Sequence, residues 1–154
     1  LLQGVETLHL RMARHVANAG AVAAFLQGQD GVDRVSYPGL AEHPDHDLAM
    51  RLMPQGCGAV LTFDLAGGRA AGAAFIAGLQ LCSHLANIGD AKTLVIHPAS
   101  TTHQQMSAAE LRAANVGPGL IRISVGIEDP QDIISDLKRG LAAARRAAPA
   151  AAAE

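Results

Sequence analysis

Apolar residues recur at steps of three and four along the first 26 positions of the chain. This stripe consists of Leu1, Val5, Leu8, Met12, Val16, Ala19, Val22 and Leu26. Such spacing places the apolar side chains on one face of a helix with 3.6 residues per turn. The pattern therefore predicts a long amphipathic helix over residues 1–27, which ends near Gly28.

Alternating apolar and polar positions mark two strands further along the chain. In residues 59–65 every second residue is apolar, as in a strand with one buried face, and residues 120–125 form the clearest strand. Turn residues and shorter patterns predict the remaining elements: a strand at 32–37, extended segments at 83–88 and 93–96, and helices at 44–53, 70–81 and 107–115, with a last helix from 130.

Two of these helices begin with recognisable capping signals. Ser107 and Glu110 have the spacing of a capping box, in which each side chain accepts a hydrogen bond from the backbone N–H of the other residue. Asp129 precedes Pro130, so the aspartate is predicted to cap the last helix and the proline to occupy its first turn.

The order of elements predicts an α/β fold, an α+β two-layer sandwich in which helices cover a small sheet. The 154 residues fit one domain, which we expect to span residues 1–146. Its first 27 residues form the linking helix. The alanine-rich residues 147–154 have no core to join, and we expect this tail to be disordered.

Composition and charge exclude several function classes. Hydrophobic residues make up 49% of the chain and charged residues 17%, which is enough to build a core. A net charge of -2 gives no field that would attract nucleic acid or an anionic membrane. Cys57 and Cys82 lie in apolar stretches and are expected to be buried free thiols. No signal peptide is visible, so a cytoplasmic location is expected.

Arg122 is the strongest candidate for a functional residue. It lies in the middle of a predicted strand, with Ile121, Ile123 and Val125 on the opposite face. A guanidinium is costly to bury without a partner, so Arg122 either forms a structural ion pair or binds an anionic ligand. Asn87 precedes Gly89 in a predicted turn, and spacing alone assigns it no further role.

The seven histidines raise the hypothesis of a metal site. His43 and His46 are three residues apart, yet no third ligand has a recognisable spacing, and a solvated helix start explains the cluster. His97 and His103 are expected to hydrogen-bond to backbone atoms, whereas His84 is expected in the core or at an interface. No metal site and no hydrolase triad are therefore predicted.

Two segments resemble a known family. They read N-I-G-D-A-K-T-L-V-I-H-P-A-S-T-T-H over residues 87–103 and L-I-R-I-S-V-G-I-E-D over residues 120–129. With Y-P-G-L at residues 37–40, they resemble the C-terminal part of the Cys/Met-metabolism family of fold-type I pyridoxal-phosphate enzymes. The resemblance extends from about Gly4 to Leu141, in the family's order and spacing.

The resemblance implies a fold and two roles. The fold is the small C-terminal domain of these enzymes, a mostly antiparallel sheet covered by helices. The residue matching Arg122 grips the α-carboxylate of the amino-acid substrate. Asn87 stands where most members have a serine close to that carboxylate. An asparagine at this position is similar to the O-acetylhomoserine sulfhydrylase branch. Methionine γ-lyase, cystathionine γ-synthase and a freestanding, non-catalytic α/β binding module remain as alternatives.

The lysines limit what this chain is expected to do alone. Lys92 and Lys138 are its only lysines, and neither matches the Schiff-base position of the family. The resemblance therefore implies that pyridoxal 5'-phosphate is bound by a domain missing from this chain. The chain by itself is expected to be inactive. The complete enzyme would be a homo-oligomer, expected to be a homotetramer. It would be a transferase of methionine biosynthesis that replaces the acetate of O-acetylhomoserine by sulfide or a thiol.

Overall fold

The computed structural model describes residues 2–148, apart from the side chains of Ala108 and Arg112. Six α-helices, five strands and one 3-10 turn follow one another in this part of the chain. In chain order they are α1 (Leu2–Glu6), α2 (Leu8–Gln27), β1 (Val32–Ser36), α3 (His46–Leu52), β2 (Val60–Leu65), α4 (Gly68–Gly78), β3 (Ser83–His84), β4 (Leu94–Ile96), the 3-10 turn (Pro98–Ser100), α5 (Ala108–Ala113), β5 (Leu120–Ser124) and α6 (Pro130–Ala147).

The five strands form one sheet in the order β1-β2-β5-β4-β3. Neighbouring strands are antiparallel, except that β3 runs parallel to β4. The predicted fold class, a mostly antiparallel sheet with helices, is therefore confirmed. The described helices include none that is both long enough and apolar enough to cross a membrane.

The two faces of the sheet differ in character. Side chains from β2 and β5 on one face, Phe63, Ile121 and Ile123 among them, belong to the hydrophobic core. Residues from α2, α4 and α6 join this core, and the Phe63 ring meets the Phe75 ring of α4 edge-on at 5.4 Å between centroids. The other face, called the open face below, carries the alternate residues of β2 and β5, and several of its polar side chains are partly exposed.

The N-terminal helix departs from the prediction because it is broken at Thr7. The backbone of Thr7 has φ -105° and ψ 9°, which separates α1 from α2. The guanidinium of Arg11 bridges the break, donating to the carbonyl of Gly4 at 2.8 Å and to the hydroxyl of Thr7. Only the later part of the predicted stripe is buried, and it consists of Ala19, Val22 and Leu26.

Both capping predictions are confirmed. Ser107 N–H donates to the carboxylate of Glu110 at 2.7 Å, and Glu110 N–H donates to the hydroxyl of Ser107 at 3.3 Å. The Asp129 carboxylate accepts a hydrogen bond from Gln131 N–H at the start of α6. Ala147 is the last residue of α6, and residues 149–154 of the predicted tail lie outside the described residues.

The observed boundaries of other elements differ from the predicted ones by a few residues. The helix expected to begin near Pro44 starts at His46, and the one expected to end near residue 81 ends at Gly78. Of the extended segment predicted at 83–88, only two residues form a strand. Cys57 and Cys82 are buried free thiols, as predicted, and burial raises the pKa of the Cys82 thiol.

Candidate functional site

Arg122 lies in the middle of the sheet on its open face. Its strand, β5, is paired with β2 on one side and β4 on the other, and the residues opposite Arg122 are Thr62 and Ile96. Its neighbours Ile121 and Ile123 are fully buried in the core, whereas Arg122 is partly exposed. Strand alternation therefore directs the guanidinium away from the core, as the sequence predicted.

Within residues 2–148, Arg122 does not form the structural ion pair that was one of its two predicted interpretations. The salt bridges among the described residues join Arg34 to Asp64 at 3.4 Å and Arg139 to Asp136 at 2.7 Å. Asp64 shares the open face with Arg122 but pairs with the arginine of β1. Among the described residues no hydrogen bond from the Arg122 side chain occurs either. A planar guanidinium with its donors unused is suited to bind a carboxylate through two parallel hydrogen bonds.

Asn87 lies in an exposed turn between β3 and β4. Its side-chain oxygen accepts a hydrogen bond from the backbone N–H of Ile88 at 2.9 Å. Gly89 follows with φ 72°, a left-handed conformation that favours glycine. Because the Asn87 oxygen is used locally, its NH₂ group remains as the donor that can bind an acceptor from outside the turn.

A hydrogen bond ties the Asn87 turn to the strand of Arg122. Gly89 N–H donates to the hydroxyl of Ser124 at 3.4 Å, which is at the long end of the hydrogen-bond range. Ser124 follows Arg122 by two residues on β5, so both side chains belong to the open face. The structure thus links the two predicted site residues through Ser124. The sequence reasoning missed this serine, although the alternation in L-I-R-I-S placed it beside Arg122.

His97 has a structural role, as its position in the sequence predicted. The side chain is fully buried, and Nε2 donates to the carbonyl of Pro118 at 2.8 Å, while Nδ1 lies 2.8 Å from the Ser100 hydroxyl. Burial lowers the pKa of His97, which outweighs the opposing effect of the Pro118 carbonyl. A neutral imidazole that uses both nitrogens in these contacts orders the chain rather than acting as a base.

The other histidines give mixed outcomes. His103 contacts the hydroxyl of Thr102 at 2.8 Å instead of a backbone atom. His84 was predicted to lie in the core or at an interface, and the core position is wrong, because β3 is an edge strand and the side chain is exposed. The interface position stays a prediction. His46 contacts the carbonyl of Pro38 at 2.9 Å. Within residues 2–148, no group of three histidine, cysteine or acidic side chains is placed to hold a metal ion.

The sequence reasoning also missed Asp136, which is fully buried on α6. Its carboxylate accepts hydrogen bonds from three successive backbone N–H groups, those of residues 80–82, and from the guanidinium of Arg139. Burial by itself would raise the pKa of Asp136, but these hydrogen bonds outweigh it and hold the pKa below its usual value. The available signal was an acidic residue one position before Leu137, on the apolar side of the helix.

Comparison with known proteins connects the chain to a family. The sequence model of the family described as "Cys/Met metabolism PLP-dependent enzyme" matches residues 1–142. The chain belongs to this family.

Individual relatives have related but distinct activities. The chain is 51% identical over 142 residues to O-acetyl-L-homoserine sulfhydrylase 1 of Thermus thermophilus, which covers 92% of the chain and 34% of that protein. It is 43% identical over 141 residues to an L-methionine gamma-lyase of Fusobacterium nucleatum subsp. polymorphum, with 92% and 35% covered. The chain therefore spans about a third of the length of these relatives.

A solved structure has a similar fold. The crystal structure of cystathionine gamma synthase from Xanthomonas oryzae pv. oryzae in complex with cystathionine superimposes with a TM-score of 0.85. The sequence identity is 42%, and the match covers 95% of this chain and 38% of that one. The family and the fold predicted from the sequence are both confirmed.

Neither lysine of this chain is placed to serve as the covalent anchor of pyridoxal phosphate. That cofactor needs an amine held against its aldehyde, together with partners for its phosphate and ring nitrogen. Lys92 is exposed in the turn before β4. Lys138 is exposed on α6, where its ammonium lies 5.6 Å from the centre of the Phe25 ring. Neither amine lies in an enclosed site, so no reaction step is assigned to them.

Proposed function

We propose that this chain is the substrate-binding C-terminal domain of an O-acetylhomoserine sulfhydrylase. The observation that carries the proposal is the position of Arg122, partly exposed on the open face of the sheet and without an acidic partner among the described residues. Arg122 would bind the α-carboxylate of O-acetylhomoserine through two hydrogen bonds. The NH₂ group of Asn87 would donate a further hydrogen bond to the same carboxylate.

In this proposal the chain contributes binding and orientation. Pyridoxal phosphate, held by residues outside this chain, would supply the stabilisation of negative charge that lets acetate leave and sulfide or a thiol add. Holding the carboxylate at two points orients the rest of the amino acid, which lowers the barrier by positioning. Arg122 is well suited to this task because its rigid strand lies between two other strands.

Methionine γ-lyase or cystathionine γ-synthase activity is the second candidate. One relative is a methionine gamma-lyase, another is a cystathionine gamma synthase, and each matches nearly all of this chain. Arg122 would have the same role in these enzymes, so its geometry does not separate them. Asn87 favours the sulfhydrylase, since the other branches resemble each other in having a serine there. Products formed by the intact protein from O-acetylhomoserine with sulfide, from methionine, and from O-acetylhomoserine with cysteine distinguish the three activities.

Replacing Arg122 by alanine in the intact protein tests the carboxylate role. A hydrogen bond to a charged group contributes about 1.5–3 kcal/mol, so KM for the amino-acid substrate should rise roughly 10- to 150-fold. Arg34→Ala is the matched control, because that arginine is exposed on β1 and pairs with Asp64. Its KM should stay near the parent value. An unchanged KM in Arg122→Ala would show that the arginine does not bind the substrate.

We further propose that the isolated chain has no sulfhydrylase activity. The test is to mix the 154-residue chain with pyridoxal phosphate and record the absorbance of a protein-bound aldimine. Acetate release from O-acetylhomoserine and sulfide is then measured in the same sample. Exposed lysines can form aldimines with added pyridoxal phosphate, so the absorbance can exceed that of a Lys92→Gln, Lys138→Gln control, but the acetate release should not. Acetate release that depends on either lysine would overturn the proposal.

A further inference from the structure

The segment that carries Asn87 is fixed at its start by a buried aspartate. The Asp136 carboxylate accepts hydrogen bonds from the N–H groups of Gln80, Leu81 and Cys82 at 2.8, 2.9 and 2.8 Å. These three residues lie between the end of α4 and the start of β3. Three consecutive donors bound to one rigidly placed carboxylate leave the backbone little freedom at this point.

Other contacts of the segment are few. β3 consists of two residues at the edge of the sheet, where it pairs with β4 alone. Residues 84–89 are exposed, and the next contact of the segment with the sheet is the long hydrogen bond from Gly89 N–H to Ser124. Two residues of strand are too short to hold the turn by themselves. The position of Asn87 therefore depends on both ends of the segment, and Asp136 provides the stronger of the two attachments.

Asp136 is itself held firmly in place. Its own helix is long, and the neighbouring residues Ile133 and Leu137 are fully buried in the core. The Arg139 guanidinium donates to the carboxylate at 2.7 Å from the next turn of α6. Because the carboxylate has donors on both oxygens and no exposed surface, it is a fixed acceptor and not a mobile surface charge.

We propose that Asp136 is a positioning residue for substrate binding. It acts by fixing residues 80–82, which holds Asn87 where its NH₂ group reaches the substrate carboxylate beside Arg122. This inference rests on the proposed function, because it requires that Asn87 bind the substrate. Asp136 itself is fully buried, so in this proposal it would not contact the substrate.

A double-mutant cycle in the intact protein tests the inference. In Asp136→Asn, an NH₂ group replaces one acceptor oxygen and faces backbone N–H donors, so the segment should loosen. Small misplacements of a binding group have large effects, and we expect KM for O-acetylhomoserine to rise about tenfold. Asn87→Ala should also raise KM. If Asp136 acts through Asn87, then Asp136→Asn should change KM little when Asn87 is already alanine.

Asp129→Ala is the matched control on the same helix. It removes the side chain that accepts a hydrogen bond from Gln131 N–H at 2.8 Å, which weakens α6 without touching residues 80–90. Its KM should equal that of the parent protein. Hydrogen exchange provides a second measurement: amides of residues 80–90 should exchange faster in Asp136→Asn and at the parent rate in Asp129→Ala.

The outcomes separate the two proposals. An unchanged KM in Asn87→Ala removes Asn87 from the proposed site, whatever Asp136 does. A raised KM in Asn87→Ala, together with an equal effect of Asp136→Asn in both backgrounds, overturns the positioning role and leaves the proposed function intact. If Asp136→Asn does not fold, Arg139→Ala replaces it in the cycle, because it removes one support of the carboxylate. A KM effect of Arg139→Ala that persists fully in the Asn87→Ala background also overturns the inference.

Discussion

At the scale of single residues, the fit of the His97 ring against α4 depends on one glycine. A Cβ atom added to Gly72 would lie 2.5 Å from Nε2 of His97, well inside any normal contact distance. The ring cannot move away easily, because it is buried and bound to Pro118 and Ser100. The absence of a side chain at Gly72 therefore lets α4 approach the end of β4.

Gly72→Ala should lower the free energy of unfolding of the chain by about 1–3 kcal/mol, the usual cost of overpacking. Gly20→Ala is the matched control, since Gly20 lies within α2 and a Cβ atom there meets nothing within 4 Å. It should raise the stability by about 0.5–1 kcal/mol, because alanine favours the helix. Urea unfolding of both variants measures the difference, and equal stabilities would contradict the packing argument.

At the scale of elements, local patterns predicted type and order better than boundaries. The strand at β2 and the capped starts of α5 and α6 follow from alternation and from residues close in sequence. The end of α4 does not, because the N–H groups of residues 80–82 bind Asp136, which lies more than 50 residues away in the chain. A local pattern contains no information about such a partner.

The same limit applies to the candidate site. The position of Arg122 on the open face follows from strand alternation, so its exposure could be predicted. The link from the Asn87 turn through Ser124 could not, because it depends on the antiparallel pairing of β4 with β5. The break at Thr7 was missed for another reason: Arg11 provides side-chain donors for the Gly4 carbonyl and the Thr7 hydroxyl, which periodicity does not detect.

At the scale of the whole molecule, the hydrophobic core and the proposed binding residue Arg122 lie on opposite faces of the sheet. The core lies between the sheet and helices α2, α4 and α6, and most of its side chains are aliphatic. The open face carries Arg122, and the Asn87 turn is attached to it. Substitutions of the partly exposed side chains on the open face are therefore expected to alter the proposed binding with little effect on folding, because few core contacts depend on them.

A second surface of the molecule is apolar and exposed. On α1 and the start of α2, Leu2, Val5 and Leu8 are 82%, 62% and 44% exposed, although Val5 and Leu8 belong to the apolar stripe of the predicted helix. Exposed apolar residues that together form a patch usually mark an interaction surface. We therefore expect the 154-residue chain to self-associate through it, so that its mean mass by light scattering rises with concentration. Leu2→Asp combined with Val5→Asp should abolish this rise, whereas Leu52→Asp, at a leucine 68% exposed on the C-terminal end of α3, should not. A constant monomer mass for the unmodified chain would contradict the prediction.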